Sequence, residues 1–312
     1  MKFVIKALLL LALNVPAIGF AQDSLSNRNG LYQNNVSDTP LVKKVLPEEI
    51  PLMHFNTYFS LLGTDLRMAF TQPFHQTNRD WRTFGKFVLA AGVVSLADEP
   101  VQKEALRMKN GSTGLDKISK GVTDFGGTYG VLTLVGVGSF GWITGNHKLV
   151  NTTLLSTQSY ITGAAVETVL KYLTGRRRPS SYKPGEEAEP KFAGYFPKGF
   201  KNNGNTSFPS GHSTVAFAVA TVFATEYKDK PLVPVIAYTT ASLIGLSRIA
   251  QDKHWLSDVF VGAALGYVSG KLTVNNYHRY KDVRTGKKKN SVSFSLHYNY
   301  DHVEPAMVYK FK

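Results

Sequence analysis

The stretch SFPSGHST, residues 207–214, stands directly before the uncharged run VAFAVATVFAT. Packing a core does not call for that order of residues. Pro209 fixes the entry of the chain, Ser210 is a capping residue, and Gly211 allows close backbone approach. The helix that starts here aims unpaired N–H groups outward, which makes an anion site. His212 stands where it can give a proton to an anion held there. Read alone, the same residues also fit an ordinary helix start with a hydrogen-bonded histidine.

From about Trp81 the chain is a series of apolar, small-residue segments at 84–97, 125–144, 149–173, 213–227, 232–249 and 257–274. They predict an all-α fold with a six-helix core bundle. Most are shorter than the roughly 20 apolar residues of a spanning helix. Residues 125–146 carry no charge, however, and GVLTLVGVGSFG suits close helix contacts in a bilayer, so the expectation is a membrane-embedded bundle. Between the third and fourth helices, GRRRPSSYKPGEEAEPKFAGYFPKGFKNNGNT reads as a long irregular connection. Before residue 80 the chain is mixed and punctuated by Pro40, Pro47, Pro51 and Pro73, with one short helix expected near 58–70. The tail alternates Val292, Phe294, Leu296, Tyr298 and Tyr300 on one face, a strand pattern. A second strand at 307–311 would close a hairpin across Pro305. The expected organisation is a signal peptide (1–21), an N-terminal extension (22–80), a helical domain (81–280), and a basic linker with a strand-like tail (281–312).

The first residues, with Lys2, Lys6, an apolar run and small residues before a cut after Ala21, read as a secretory signal. The 312-residue chain has no cysteine, which excludes disulfide frameworks and thiolate metal sites. Its net charge of +14 favours anionic partners, and export makes nucleic acid an unsuitable one. An anionic membrane surface and phosphate-bearing substrates remain.

Two further clusters stand at predicted helix ends. In KYLTGRRRP, Lys171 ends the third helix and Arg178-Pro179 follow, a pattern that helix capping alone also explains. Glu167 and Lys171 are four apart, a pair worth about 0.2 to 0.5 kcal/mol if exposed. In LSRIAQDKHWLSDVF, Arg248 ends the fifth helix, while His254 and Asp258 share one helical face. Asp252 and Lys253 read as a solvated turn. Taken together, Lys171, Arg178 and Arg248 supply fixed positive charge for a phosphoryl group, His254 can attack it, and His212 can protonate the leaving oxygen. No cluster of ligands implies a metal or other cofactor.

The three spaced motifs, Lys171-x6-Arg178-Pro179, Pro209-Ser210-Gly211-His212 and Ser247-Arg248-x5-His254-x3-Asp258, resemble the full signature of the type 2 phosphatidic acid phosphatase family, relatives of the vanadium haloperoxidases. The resemblance covers about residues 81–280. It implies a metal-independent phosphatase with a phosphohistidine intermediate. His254 would be the nucleophile, Asp258 its orienting partner and His212 the general acid; Lys171, Arg178, Ser210, Gly211 and Arg248 would hold the phosphate. The surrounding text, FPSGHST with HWLSDVFVGAALGY, is similar to the lipid branch. The expectation is an exported phosphatase of a Gram-negative-type envelope, acting from the periplasmic side on a phosphorylated or pyrophosphorylated lipid. A soluble periplasmic acid phosphatase, a haloperoxidase and a non-catalytic lipid-binding envelope protein are the alternatives.

Overall fold

The computed structural model describes residues 51–183, 186–192 and 205–284, together with the backbone of two strands at 291–299 and 302–310. The signal-peptide reading and the basic run at 285–290 lie outside the described residues. Nine α-helices are described: α1 (Phe55–Thr71), α2 (Asn78–Ser95), α3 (Asp98–Gly111), α4 (Thr113–Phe125), α5 (Thr128–Ile143), α6 (His147–Thr174), α7 (Gly211–Glu226), α8 (Leu232–Ala250) and α9 (Leu256–Arg284). All six expected helices are present. Two more, α3 and α4, fill the region between the first and second of them; their charge and short apolar runs hid them from a search for apolar segments. The expected 125–144 helix begins only at Thr128, because Gly126 caps α4 and Gly127 starts α5. The short helix foreseen near 58–70 is α1, which lies against α6 and α9 through Gln158 Nε2 to the Tyr58 carbonyl (2.7 Å) and Asn276 Nδ2 to Asp65 Oδ1 (2.7 Å).

The heart of the bundle is a seam where α9 presses closely on α7 and contributes no side chain of its own at three positions. Gly262, Gly266 and Gly270 repeat every four residues and so share one face of α9. A Cβ at Gly262 would stand 2.5 Å from the Ser210 carbonyl oxygen, one at Gly266 2.8 Å from the Ala218 nitrogen, and one at Gly270 2.6 Å from Thr221 Cβ. The order of these contacts makes α7 and α9 parallel. On the other sides of α7, Gly163 faces Thr214 while Glu167 faces Gly211, and Gly245 faces Ser213 while Tyr238 bonds to Thr221. Helices α6 and α8 therefore run antiparallel to α7, so the C-terminal ends of α6 and α8 meet the N-terminal ends of α7 and α9 at one end of the bundle.

Helix α6 is buried yet rich in Thr, Ser and Gln. Its hydroxyls return their protons to its own carbonyls, Thr152 to Lys148, Thr153 to Leu149 and Ser156 to Thr152, at 2.8 to 2.9 Å. That satisfies these three hydroxyls without a partner helix. In the tail, Ser291–Asn299 and His302–Lys310 form a two-stranded antiparallel ribbon, with only residues 300 and 301 between them. The hairpin is as expected but its turn is not across Pro305, which pairs with Leu296 inside the second strand. Each strand of a two-stranded ribbon has a free edge, where a residue without an N–H is tolerated.

Substituting Gly266→Ala should drive a methyl into the α7 backbone and lower stability by about 1–3 kcal/mol or more. Its melting temperature in detergent, set beside that of the wild type, checks this.

Candidate active site

The end where the four helices meet gathers every residue singled out by the motifs. Lys171 comes from the last turn of α6, Arg178 from the connection after it, and Ser210, Gly211 and His212 from the start of α7. Arg248 comes from the last turn of α8, His254 from the loop after it, and Asp258 from the first turn of α9. The Ser210 N–H donates to the Asp258 carbonyl at 3.0 Å, tying the two parallel helix starts together.

His254 is 2 % exposed. Its Nδ1 lies 2.7 Å from the Ser207 carbonyl, which can only accept, so Nδ1 carries the proton and Nε2 presents a bare lone pair. Asp258 stands farther off, with Oδ2 at 3.7 Å from Nδ1. The carboxylate spends its oxygens elsewhere, accepting from Ser207 Oγ (2.5 Å), the Trp255 N–H (2.9 Å) and Arg176 Nη1 (2.5 Å). Asp258 thus reaches the imidazole through its charge and through Ser207. Burial, opposed by Asp258, pushes the His254 imidazole down to about 4, so it is neutral at ordinary pH.

His212 sits in the first turn of α7, against the α4–α5 corner. A Cβ at Gly126 would be 3.0 Å from its Cδ2, and one at Gly127 3.4 Å from its Nε2. Those glycines let the corner close on the ring. Burial, then the charges of Arg248, His254, Lys171 and Arg178, bring His212 down to about 3.

The helix start remains open for an anion. Ser210 is the residue before α7, yet its hydroxyl caps no backbone N–H and instead accepts from Ser213 Oγ at 3.0 Å. The N–H groups of the first turn have no partner inside the helix. Arg178 and Arg248 each bury an Nε that finds no hydrogen-bond acceptor. A buried guanidinium donor without an acceptor is costly, and an oxyanion would satisfy both. Lys171 is in ion-pair contact with Glu167, and the pair packs on Gly211, where a Cβ would lie 2.6 Å from Glu167 Oε1 and 3.2 Å from Lys171 Nζ. Glu167 is buried and Lys171 half-buried, so the small energy of an exposed pair does not describe this contact.

Several residues of the site escaped the motif reading. Arg176, in the same basic run as Arg178, is buried between Asp98 and Asp258. Ser207 supplies both a carbonyl and a hydroxyl. Asp252, read as solvated, is half-buried and accepts from Gln102 Nε2 at 2.9 Å. No local signal marks Asp98 or Gln102, which reach the site from α3. Among the described residues no group of three potential metal ligands is present.

The family model of the PAP2 superfamily matches residues 153–282, from α6 to the end of α9. That segment, similar to the PAP2 superfamily, supplies every motif residue above. Over 67 residues it is 51 % identical to Lipid A 1-phosphatase of Porphyromonas gingivalis, a match spanning 21 % of this chain and 15 % of that protein. Over 194 residues it is 28 % identical to Phosphatidylglycerophosphatase B of Bacillus subtilis, spanning 57 % of this chain and 84 % of the other. Among solved structures, the transmembrane PAP2 type phosphatidylglycerolphosphate phosphatase from Bacillus subtilis gives a TM-score of 0.44 at 23 % identity, covering 71 % of this chain and 96 % of that one. LpxE of Aquifex aeolicus gives 0.38 at 26 % identity, covering 55 % and 93 %.

Inorganic phosphate should raise the melting temperature of the purified chain through this site. In Arg178→Gln and Arg248→Gln most of that shift should vanish, as read by thermal unfolding with and without phosphate.

Proposed function

We propose that the chain is a phosphatase that removes phosphate from a phosphorylated lipid through a phosphohistidine at His254. The observation that supports this most is the Ser207 carbonyl fixing the His254 tautomer, which leaves Nε2 bare beside two buried guanidinium donors lacking acceptors. In the first step the Nε2 lone pair attacks phosphorus and the phosphorus–oxygen ester bond breaks. His212 gives its proton to the departing oxygen, which leaves as an alcohol. In the second step neutral His212 takes a proton from water, whose oxygen attacks phosphorus. The phosphorus–nitrogen bond breaks, and inorganic phosphate leaves with both histidines restored. Lys171, Arg178, Arg248 and the α7 N–H groups hold the charge that a metal would otherwise hold.

The lipid side of the proposal rests on the surface. Helix α8 is long and apolar enough to cross a membrane, and α5 is apolar but spans only 16 residues, about 24 Å at about 1.5 Å per residue. Leu89 on α2, Trp142 on α5 and Leu232 on α8 are each more than 70 % exposed, with Phe84, Val93, Leu132, Phe140 and Ile236 exposed beside them. Soluble proteins rarely leave so much apolar surface uncovered, and a bilayer covers it. The names of the two similar proteins share a phosphomonoester on a lipid, and that class is the substrate proposed here. On the exported reading of the N-terminus, the proposed site faces the periplasm.

The test is phosphate release from lipid A, phosphatidylglycerol phosphate, phosphatidic acid and water-soluble esters, with protein purified with and without detergent. Lipid substrates should be preferred and EDTA should leave the rate unchanged. His254→Ala should lose turnover and acid-trappable phosphoenzyme together; retention of full activity by that variant would overturn the assignment.

The pH dependence follows from the two imidazoles. In the empty site His212 is unprotonated above about 3, so the proton it later donates enters with the substrate. A phosphate monoester keeps that proton below its second pKa of about 6. His254 loses nucleophilicity as it protonates near about 4. Values of kcat/KM for a monoester should therefore peak between these limits, falling on the acid side with His254 and on the alkaline side with the substrate.

A further inference from the structure

Behind His254 lies a set of buried charges that the phosphate chemistry does not use. Arg176 is 1 % exposed and sits between two carboxylates that are both 0 % exposed. Its Nη2 donates to Asp98 Oδ2 at 2.6 Å, and its Nη1 donates to Asp258 Oδ1 at 2.5 Å and to Ser257 Oγ at 2.7 Å. Asp98, the first residue of α3, lies outside the segment that matches the PAP2 superfamily. It also takes the Ser257 N–H at 2.8 Å and the Ser257 hydroxyl at 2.7 Å, so it anchors the chain just beyond His254. The rings of Phe192 and Trp255 lie over the guanidinium at 4.7 and 5.8 Å and keep water from it.

We infer that Asp98 and Arg176 form one positioning unit that aims the His254 imidazole, acting through Asp258 and Ser207. Arg176 holds both supports of the ring. Its side chain holds Asp258, which takes the Ser207 hydroxyl, and its own carbonyl takes the Ser207 N–H at 2.9 Å. The Ser207 carbonyl then receives Nδ1–H of His254 at 2.7 Å. Net stability does not explain three charges kept dry, because burying an ion pair costs about as much as its attraction returns. Orientation does: a misplaced nucleophile loses rate even where its pocket is intact. The two carboxylates outweigh the one guanidinium, and the surplus negative charge favours the positive ring that forms when His254 becomes phosphorylated.

The inference rests on His254 being the nucleophile, and the experiment separates the two. The full chain, wild type and variant, is purified in detergent and assayed with a short-chain diacylglycerol phosphate. Turnover, KM, trapped phosphoenzyme and inhibition by inorganic phosphate are measured. Asp98→Asn should lower kcat by about tenfold to a hundredfold, while KM and the phosphate inhibition constant stay within about threefold. The double variant Asp98→Asn with Arg176→Gln should be no slower than the slower single variant, because the pair acts as a unit. Ser257→Ala keeps every charge and tests the same linkage should Asp98→Asn fail to fold; it should lower kcat severalfold at unchanged phosphate inhibition. An active wild type whose Asp98→Asn or Ser257→Ala keeps full kcat overturns the positioning unit. So do losses of kcat and phosphate affinity in parallel, or additive losses in the double variant. A wild-type chain that forms no phosphoenzyme overturns the proposed function itself.

Discussion

The contact on which everything else depends is the bare approach of α9 to α7. Three glycines at four-residue spacing let one helix backbone rest on the other, and dispersion between closely apposed backbones replaces the interlocking of large side chains. Because the helices are parallel, their N-terminal ends arrive together. Ser210 and Asp258 are joined by a backbone hydrogen bond at that point. A looser seam would separate the start of α7 from the loop that carries His254.

Two electrical layers are stacked at this end. In front of His254, Lys171, Arg178 and Arg248 with the N-terminal ends of α7 and α9 outweigh the Glu167 carboxylate that pairs with Lys171. Behind them the Asp98–Arg176–Asp258 set carries the opposite net sign. His254 lies at the boundary, neutral at rest because burial outweighs the pull of Asp258. The separation sets a positive field on one side of the ring and a negative one on the other.

What the sequence made legible was local or signature-bearing. The spacing from Lys171 to Asp258 marked the site because motif residues stand at helix ends, and apolar runs marked the helices that carry them. Charged α3 and α4 have no such run. The glycine repeat of α9 stood in plain view within VGAALGYVSG, but only the partner helix tells that those positions touch backbone. The orienting role expected of Asp258 from its four-residue offset is, in space, shared with the Ser207 carbonyl, an atom every residue possesses and no pattern can mark. Asp98 is about 160 positions from Ser257, so their meeting is a property of the fold alone. The tail's alternation foretold a hairpin, while its register, with Pro305 inside a strand, required the pairing itself.

The antiparallel course of α8 has a consequence for how such a chain can vary. Residues 228–231, which join α7 to α8, fall at the pole opposite the imidazoles, since the chain must descend α7 and climb α8 before it returns to Arg248. That link touches none of the charged groups described above. Lengthening or grafting there would leave both halves of the candidate site on their own rigid supports, so the distal pole tolerates change that the proximal pole does not.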